Sequence, residues 1–335
     1  MLINKYRNHL PVERQLSEMK EYGLDISHGT IFGGFKKIHS LYLKPLYEAM
    51  SRELREASHY HADESGWRIF VITDDKKNYK WFIWIFISTD KKIVLFVLHP
   101  TRAAEVPLKV LFDIDIADII KVDKSLLAAP ALKCLNVDRF SSYKALENMG
   151  IVELSFCWSH QRRDFLNLKT KYPELDKWIE EWIEKIANLY HINNERVKYN
   201  SFNPLFKEYD EKLKVEIGKI NSLINMEYSH PKQNDIMKSM KQHWKGLTLF
   251  VDHPQIPMDN NLAERMLRPM VVGRKNYWGN HSLWAGELTC AMFSIIQTCL
   301  PAGRPALCMN SRQEHILTIT LEFAQKKALL LMKLK

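Results

Sequence analysis

The sequence predicts a mixed α/β protein in which helices cover one sheet and a long helical segment interrupts the core. Three observations favour this fold class. Short runs of β-branched and aromatic residues, separated by turns rich in Asp and Lys, fill residues 61–98. Two further apolar runs, at 132–137 and 151–157, each lead into a helical pattern. From residue 172 to residue 250 the apolar residues recur at helical spacing.

Composition and charge narrow the class of protein. The 335 residues are 46% hydrophobic and 26% charged, which is enough to bury a core, and the formal net charge is +9. This charge favours an anionic partner, most simply nucleic acid, although a basic protein without such a partner is the alternative. The five cysteines form no Cys-x-x-Cys pair, which disfavours a zinc ribbon. No apolar run approaches the roughly 20 residues of a membrane helix.

Residues 1–57 are predicted to form a helical N-terminal segment. One helix is expected from Pro11 to Tyr22, with Gly23 as its C-terminal stop and Ser27 as the N-cap of the next. A longer helix is expected from Leu41 to Glu56. The pattern allows a helix-turn-helix, and two helices that merely pack together explain it equally well.

The strand pattern predicts a particular kind of sheet. Between the third and fourth strands, residues 102–128 are expected to hold a helix and a loop, and Ser141 or Ser142 is expected to cap a helix ending at Asn148. Short turns imply that the first three strands form an antiparallel meander. The resulting order of elements is that of a ribonuclease H-like core. The five strands are expected at residues 61–71, 79–88, 93–98, 132–137 and 151–157.

The later part of the chain completes this core. A helix is expected from Asp259 to Leu267, ending before Pro269, followed by a loop over 274–282 and a helix over 284–300. The predicted divisions are the first part of the catalytic core at 58–165, the all-helical insertion at 166–252, the second part of the core at 253–300, and a divergent tail at 301–335.

Three acidic residues stand where such a core could gather them. Asp63 lies in the first predicted strand, Asp138 ends the fourth, and Glu264 lies on the helix after the insertion. Two-metal phosphoryl chemistry needs carboxylates that hold two hard cations roughly 3.5–4 Å apart. Any one of these acids alone is more often a solvated strand end or a cap. The hypothesis therefore depends on their joint placement.

Basic residues near these acids are candidate DNA contacts. Arg162 and Arg163 open the helix after the fifth strand, with salt bridges to the acids as the alternative role. Arg265 and Arg268 flank Glu264, and Arg268 lies one helical turn beyond it, so a structural ion pair is the alternative there.

A second group of candidate DNA contacts follows on the C-terminal side. Arg274, Lys275 and Trp278 combine cations with a flat aromatic ring, which suits phosphate contact and stacking on an unpaired base. A tryptophan packed within a loop is the commoner alternative.

Three residues close to these motifs have simpler interpretations. Glu64 is expected on the opposite face of its strand from Asp63, as a surface or supporting group. His61 is expected to be a structural histidine, and Cys157 to pack in the core, because no second ligand pair stands near it.

Four ordered blocks give the sequence a resemblance to a known family. They are HADES at 61–65, DRFSSY at 138–143, CWSHQRR at 157–163, and DNNLAERMLRP at 259–269 with GRKN at 273–276. From about Lys5 to Thr298 the chain resembles transposases of the insertion-sequence sixty-six family.

The resemblance implies a DDE-type transposase with a ribonuclease H-like core. Asp63, Asp138 and Glu264 would be its catalytic acids and would hold two Mg²⁺ or Mn²⁺ ions per active site. Cleavage at the transposon end would free a 3′-OH that attacks target DNA in line. The implied partners are double-stranded DNA, as terminal inverted repeats and as target, a homo-oligomer on that DNA, and helper proteins of the same element. The implied location is the cytoplasm and nucleoid of a bacterium, with no membrane.

Two alternatives stay open. Family members are usually longer at the N-terminus and differ after Gln297, and Arg139 stands where the family commonly has Gly. The differences at the two ends motivate the alternative of a remnant that binds DNA without cleaving it, whereas Arg139 bears on the close approach of DNA or backbone at the second acid. The other alternative is a ribonuclease H-like nuclease that acts on RNA–DNA hybrids.

Overall fold

The computed structural model describes residues 1–71, 79–115, 117 and 133–299, and these form a mixed α/β structure, as predicted. The predicted turn at 74–78, most of the predicted segment after residue 117 and the predicted tail lie outside the described residues. The chain changes from one compact unit to the other after Ser58, after His61, between residues 117 and 133, and after Leu262. The first unit contains residues 1–58, 62–115, 117 and 263–299, and the second contains 59–61 and 133–262.

The five predicted strands are all present within one mixed sheet of the described residues. Their order in the sheet is β3-β2-β1-β4-β5. Strands β2 and β3 pair antiparallel, whereas β1 with β4 and β4 with β5 pair parallel. The strands are β1 His59–Arg68, β2 Lys80–Ser88, β3 Ile93–His99, β4 Lys133–Val137 and β5 Val152–Phe156.

The N-terminal segment is helical, as the sequence predicts. Gly23 adopts a positive φ of 81° just after the second helix, and the Ser27 hydroxyl accepts the Thr30 amide at 3.1 Å as the next helix begins. The expected helix from Leu41 begins instead at Lys44, after a π-helical turn. Pro45 has no N–H to donate into that turn, which suits a change of helical type there. The elements are α1 Leu2–Tyr6, α2 Val12–Glu21, α3 His28–Ile38, the π-helical turn His39–Leu43, and α4 Lys44–Arg55.

Strand β3 is an edge strand of the sheet, and a helix of the first unit packs along it. Helices α5 (Glu105–Phe112) and α13 (Leu283–Cys299) belong to this unit, and α13 packs on β3 and α4. The Ser294 hydroxyl of α13 accepts the Phe96 amide at 2.8 Å, and the Thr298 hydroxyl accepts the Val94 amide at 3.0 Å. Backbone groups that would otherwise offer an open sheet edge are therefore bonded within the unit.

The residues that the sequence assigns to an insertion, 166–252, are mostly helical, and they lie in the second unit. One local expectation is wrong: neither Ser141 nor Ser142 caps its helix, because Phe140 holds the N-cap position and Ser141 is already helical. The Asp138 carboxylate accepts the Phe140 amide at 2.9 Å, an Asx-type turn that fixes the chain before the helix. The helices are α6 Ser141–Asn148, α7 Trp158–Lys169, α8 Asp176–Arg196, α9 Pro204–Ile224, α10 Pro231–Gln242 and α11 Trp244–Asp252.

A buried arginine joins three helices of the insertion. The Arg196 side chain is 1% exposed, and its Nε lies 2.9 Å from Asp210 Oδ1 on α9. Its guanidinium also donates to the Val251 carbonyl at 2.7 Å and to the Phe250 carbonyl at 3.3 Å, in the last turn of α11. These carbonyls have no partner of their own in the helix, so the arginine satisfies them and fixes the end of α11 against α8.

The helix that carries Glu264 is longer than the sequence predicts. Helix α12 runs from Asn261 to Tyr277, straight through Pro269, so the expected end before the proline is wrong. A proline in a helix interior removes one backbone hydrogen bond, but the buried face of α12 continues on both sides of it, and this packing outweighs the local preference.

Of the helices in the described part of the chain, none combines the length and the apolar character that crossing a membrane requires.

Gly246 tests the packing of α11 on β5. A Cβ at this position would lie 2.4 Å from the Phe156 ring and 2.6 Å from the Leu154 carbonyl oxygen, which is part of the strand backbone. We expect Gly246→Ala to lower the free energy of unfolding by about 1–3 kcal/mol, because overpacking forces the helix off the strand. Chemical denaturation followed by circular dichroism measures the change.

Gly218 on α9 is the matched control, because a Cβ there meets nothing within 4 Å. We expect Gly218→Ala to raise the free energy of unfolding by about 0.5–1 kcal/mol, since alanine is the better helix former. Equal effects at the two glycines would contradict the described contact between α11 and β5.

Candidate functional site

A buried polar network ties strand β4 to the segment that precedes α12. Asn136 is fully buried, and its Oδ1 lies 2.6 Å from His59 Nε2 on the paired strand β1. Its amide nitrogen donates to the Ser155 hydroxyl on β5 at 3.1 Å and to the Pro257 carbonyl at 2.8 Å. One side chain therefore joins three strands of the sheet to the backbone of a loop.

His61 extends this network to the start of α12. Its Nδ1 lies 2.9 Å from Asn260 Oδ1, and the Asn260 amide donates to Cys157 Sγ at 3.2 Å. Burial lowers the pKa of His61 to about 3, with His59 adding to the shift, so the ring is neutral at pH 7. These contacts agree with the predicted structural role of His61 and core position of Cys157, whose thiol pKa is raised by burial.

The three candidate acids are each half-buried; two lie within elements and one just after a strand. Asp63 is in β1, and its Oδ1 accepts the Glu64 amide at 2.8 Å. Asp138 follows the last residue of β4, and Glu264 is the fourth residue of α12. Asp63 and Glu264 belong to the first unit, and Asp138 belongs to the second.

Glu64 differs from the surface group that the sequence suggests. Its side chain is 1% exposed and forms an ion pair with Arg102, whose Nε lies 3.1 Å from Glu64 Oε1. The Arg102 guanidinium also lies over the Phe82 ring, 5.7 Å from its centre. Glu64 is therefore occupied by a neighbouring cation in the same unit.

The acids suit a hard divalent cation by their chemistry. Carboxylate oxygens are the ligands that Mg²⁺ and Mn²⁺ prefer, and the three candidates supply only such oxygens. Within the described residues, no group of three or more His, Cys, Asp or Glu side chains is arranged to hold a metal ion. The two-ion site implied by the resemblance stays a prediction.

The candidate cations of the second unit lie on α7. Arg162 and Arg163 are both exposed in its first turns. Arg139, the residue that departs from the family pattern, forms an ion pair with Asp164 on the same helix and donates to Ser239 on α10 at 3.0 Å. The Arg139 side chain is thereby held against these helices.

In the first unit, the candidate cations follow one another along α12. Arg265 and Arg268 are exposed. The expected loop from Arg274 is wrong, because Arg274 and Lys275 lie in the last turn of the helix. Arg274 donates to the Ser65 hydroxyl at 3.2 Å and to the Gly66 carbonyl, which ties this turn to β1.

Trp278 follows the last residue of α12 and is 66% exposed. It borders a cleft of about 760 Å³ whose other cationic neighbours include Arg68 and Lys80. Sequence reasoning missed these two residues. Their position on either side of the predicted turn between the first two strands was the available signal, and it is too common to identify a site alone.

Two proteins of Sinorhizobium fredii (strain NBRC 101917 / NGR234) are similar to nearly the whole chain. "Uncharacterized protein y4jD" is 23% identical over 323 aligned residues, covering 90% of this chain and 58% of that protein. "Uncharacterized protein y4hP" is 22% identical over 326 aligned residues, covering 89% of this chain and 55% of that protein. The chain thus spans little more than half the length of these curated relatives.

The sequence resemblance is confirmed by a match to a described family. The Transposase IS66 family matches residues 1–288, a span that includes all three candidate acids and every candidate DNA contact. The match covers most of the 335 residues. The chain belongs to the IS66 transposase family.

Proposed function

We propose that this chain is a DDE transposase that cleaves DNA at transposon ends and transfers the freed strand to target DNA. The observation that carries the proposal is the family match over residues 1–288, which contains Asp63, Asp138 and Glu264 in the order that the motif requires. These three residues are the proposed catalytic acids, with Mg²⁺ or Mn²⁺ as the cofactor.

The register of the paired strands supports the choice of the first two acids. His61 on β1 pairs with Asn136 on β4, and the strands run parallel. Asp63 and Asp138 each stand two residues beyond this pair along the chain. This equal spacing along the sequence agrees with the family motif, from which we propose the same role for both carboxylates.

The order of the sheet supports a ribonuclease H-like core. An antiparallel β2–β3 pair precedes β1 in the sheet, and β4 and β5 follow in parallel. The helical insertion separates these strands from α12, which carries Glu264. The same order of strands, helical insertion and final helix is the basis on which the sequence predicts a ribonuclease H-like core.

When bound, two divalent cations would supply Lewis-acid activation of the nucleophile and stabilise the leaving oxygen. Asp63, Asp138 and Glu264 would hold them. Water attack at a phosphorus atom breaks the P–O3′ bond and leaves a 3′-OH and a 5′-phosphate. In the second step that 3′-OH attacks a target phosphorus and displaces another 3′ oxygen, so no covalent bond to the protein forms.

The exposed cations would position DNA for both steps. Arg162, Arg163, Arg265 and Arg268 are proposed contacts to backbone phosphates, which give affinity and register without reading sequence. Arg274, Lys275 and Trp278 are proposed contacts at the end of α12. The bonds of Arg274 to β1 favour a role in fixing that turn.

The proposed partners follow from the reaction. Terminal inverted repeats and target DNA are both double-stranded, and bringing two ends together favours a homo-oligomer on DNA. Helper proteins of the same element and a bacterial cytoplasmic location at the nucleoid are part of the same proposal.

Substitution of the acids tests the chemistry. We expect Asp63→Asn, Asp138→Asn and Glu264→Gln each to lower strand transfer at least about 1,000-fold, since metal-assisted stabilisation contributes several kcal/mol to such reactions. The assay uses a duplex copied from the DNA that flanks the gene, with Mg²⁺ or Mn²⁺, and separates products on a denaturing gel.

Glu211→Gln is the matched control, because this carboxylate on α9 is 74% exposed. We expect full activity from it. Full activity in Asp63→Asn or Glu264→Gln protein would refute the assignment of the acids. Salt-sensitive duplex binding by a wild-type chain that never cleaves would instead favour the DNA-binding remnant, and preferred cleavage of RNA–DNA hybrids would favour the nuclease.

The proposed phosphate contacts also predict how the affinity for DNA depends on salt concentration. We expect Arg265→Ala with Arg268→Ala to weaken duplex binding for every sequence and to reduce the slope of log affinity against log salt by about 0.9 per lost contact. Fluorescence anisotropy at several salt concentrations measures both quantities. Lys219→Ala, at a lysine on α9 that is 65% exposed, is the control and should leave the slope unchanged. An unchanged slope in the double variant would exclude these contacts.

A further inference from the structure

The cleft beside Trp278 has the chemistry of a binding site for an anion with a flat ring. It lies wholly in the first unit and holds about 760 Å³, within the range of roughly 300–1,000 Å³ that is typical of ligand sites. Its described lining includes four cations and no carboxylate. These four cations are Arg68, Lys80, Arg274 and Lys275.

Hydrogen bonds within the unit hold Trp67 and Arg68, two residues that line the cleft. The Trp67 indole N–H donates to Asn280 Oδ1 at 2.8 Å. The Asn280 amide donates to the Arg68 carbonyl at 3.0 Å, and the Phe70 amide donates to the Asn280 carbonyl at 2.8 Å. The turn after α12 is therefore fixed to the end of β1, and the cleft is present before any ligand binds.

Trp278 occupies a position at a helix end where glycine is the favoured residue. Its φ of 63° is in the left-handed region, which glycine adopts at the ends of helices and which is unfavourable for a bulky side chain. The residue is 66% exposed, so little packing is available to offset the strain. A large aromatic ring held towards solvent at a strained position favours a role in binding.

We propose that this cleft, the Trp278 cleft, binds one unpaired nucleotide of the DNA substrate. The inference rests on the proposed function, because it assumes that DNA is the substrate. The base stacks on the Trp278 ring, and Lys275, Arg68 and Lys80 face the phosphates on either side.

The presence of an exposed aromatic ring beside the cations favours an unpaired nucleotide over a paired duplex as the ligand. In the interior of a duplex both faces of a base are covered by neighbouring bases, so an exposed indole gains a stacking partner there only from a base that has left the helix. Phosphate contact alone requires cations and no aromatic ring. An acidic protein segment is the competing ligand, and it would use the cations but not the ring.

Binding measurements on the full chain, without divalent metal, test the inference. The probes are a fully paired duplex and the same duplex with one unpaired 2-aminopurine nucleotide. For Trp278→Ala and Trp278→Gly we expect about a tenfold or greater loss of affinity for the unpaired probe and less than a twofold loss for the paired one. Trp278→Phe should recover most of the affinity. In the wild-type complex the fluorescence of 2-aminopurine should be quenched by stacking.

Two controls keep the result specific. Tyr22→Ala removes an aromatic ring of the same unit that is 82% exposed, and it should change neither affinity. Trp278→Gly relieves the left-handed backbone strain, so its thermal unfolding should not begin earlier than that of the wild type, which separates lost binding from lost folding.

The results that would contradict the unpaired-nucleotide site differ from the results that would contradict the transposase proposal. Equal losses on both probes, or no loss on either, would overturn the unpaired-nucleotide site while leaving the transposase proposal standing. Poly-glutamate tests the acidic protein segment as the competing ligand. If it displaces DNA equally well from Trp278→Ala and from the wild type, and the variant keeps its affinity for the unpaired probe, the ligand is an acidic protein segment instead. A wild-type chain that binds neither DNA probe would refute both. Because no cleavage is measured, inactive acids would not affect the result.

Discussion

The hydrogen bonds of Asn136 are the constraint on which the joining of β1, β4, β5 and the loop before α12 within the second unit depends. A fully buried amide must satisfy its polar atoms inside the protein, and Asn136 does so with His59, Ser155 and the Pro257 carbonyl. Neighbouring bonds from His61 to Asn260 and from Asn260 to Cys157 follow the same rule. Losing one partner would leave a buried polar group unsatisfied, at a cost of about 1–3 kcal/mol. The backbone before α12 is therefore fixed relative to β4.

This arrangement gives the two histidines that precede Asp63 in the sequence hydrogen-bond partners within the second unit. His61 is neutral because burial depresses its pKa, and one ring nitrogen is engaged by Asn260. Its contacts in the HADES block are structural, while the acid two residues later is a proposed metal ligand. The same division of roles applies to Cys157, whose sulfur accepts a backbone amide in the core. Motif residues need not all touch the substrate in order to be required at their positions.

The order of the predicted elements agreed with the structure because hydrophobic period is a local property. The five strands and the helices of the insertion follow directly from it. The errors arose where helix packing or a neighbouring hydrogen bond outweighed a residue's own preference. Pro269 does not end α12, since buried residues such as Met266 and Met270 hold the helix on both sides of it. Ser141 does not cap α6, because the Asp138 carboxylate had already fixed the preceding turn.

The sequence by itself determined the mixed α/β class and the family, and it selected three candidate acids, since motif order and periodicity are written along the chain. Only the tertiary structure decided which polar residues are buried and which cations meet an aromatic ring. The Arg68 and Lys80 side chains reach the Trp278 cleft because the turn after α12 is bonded to the end of β1, across more than 200 residues of sequence. Such proximity depends on packing and long-range hydrogen bonds, and no local pattern of residues encodes it.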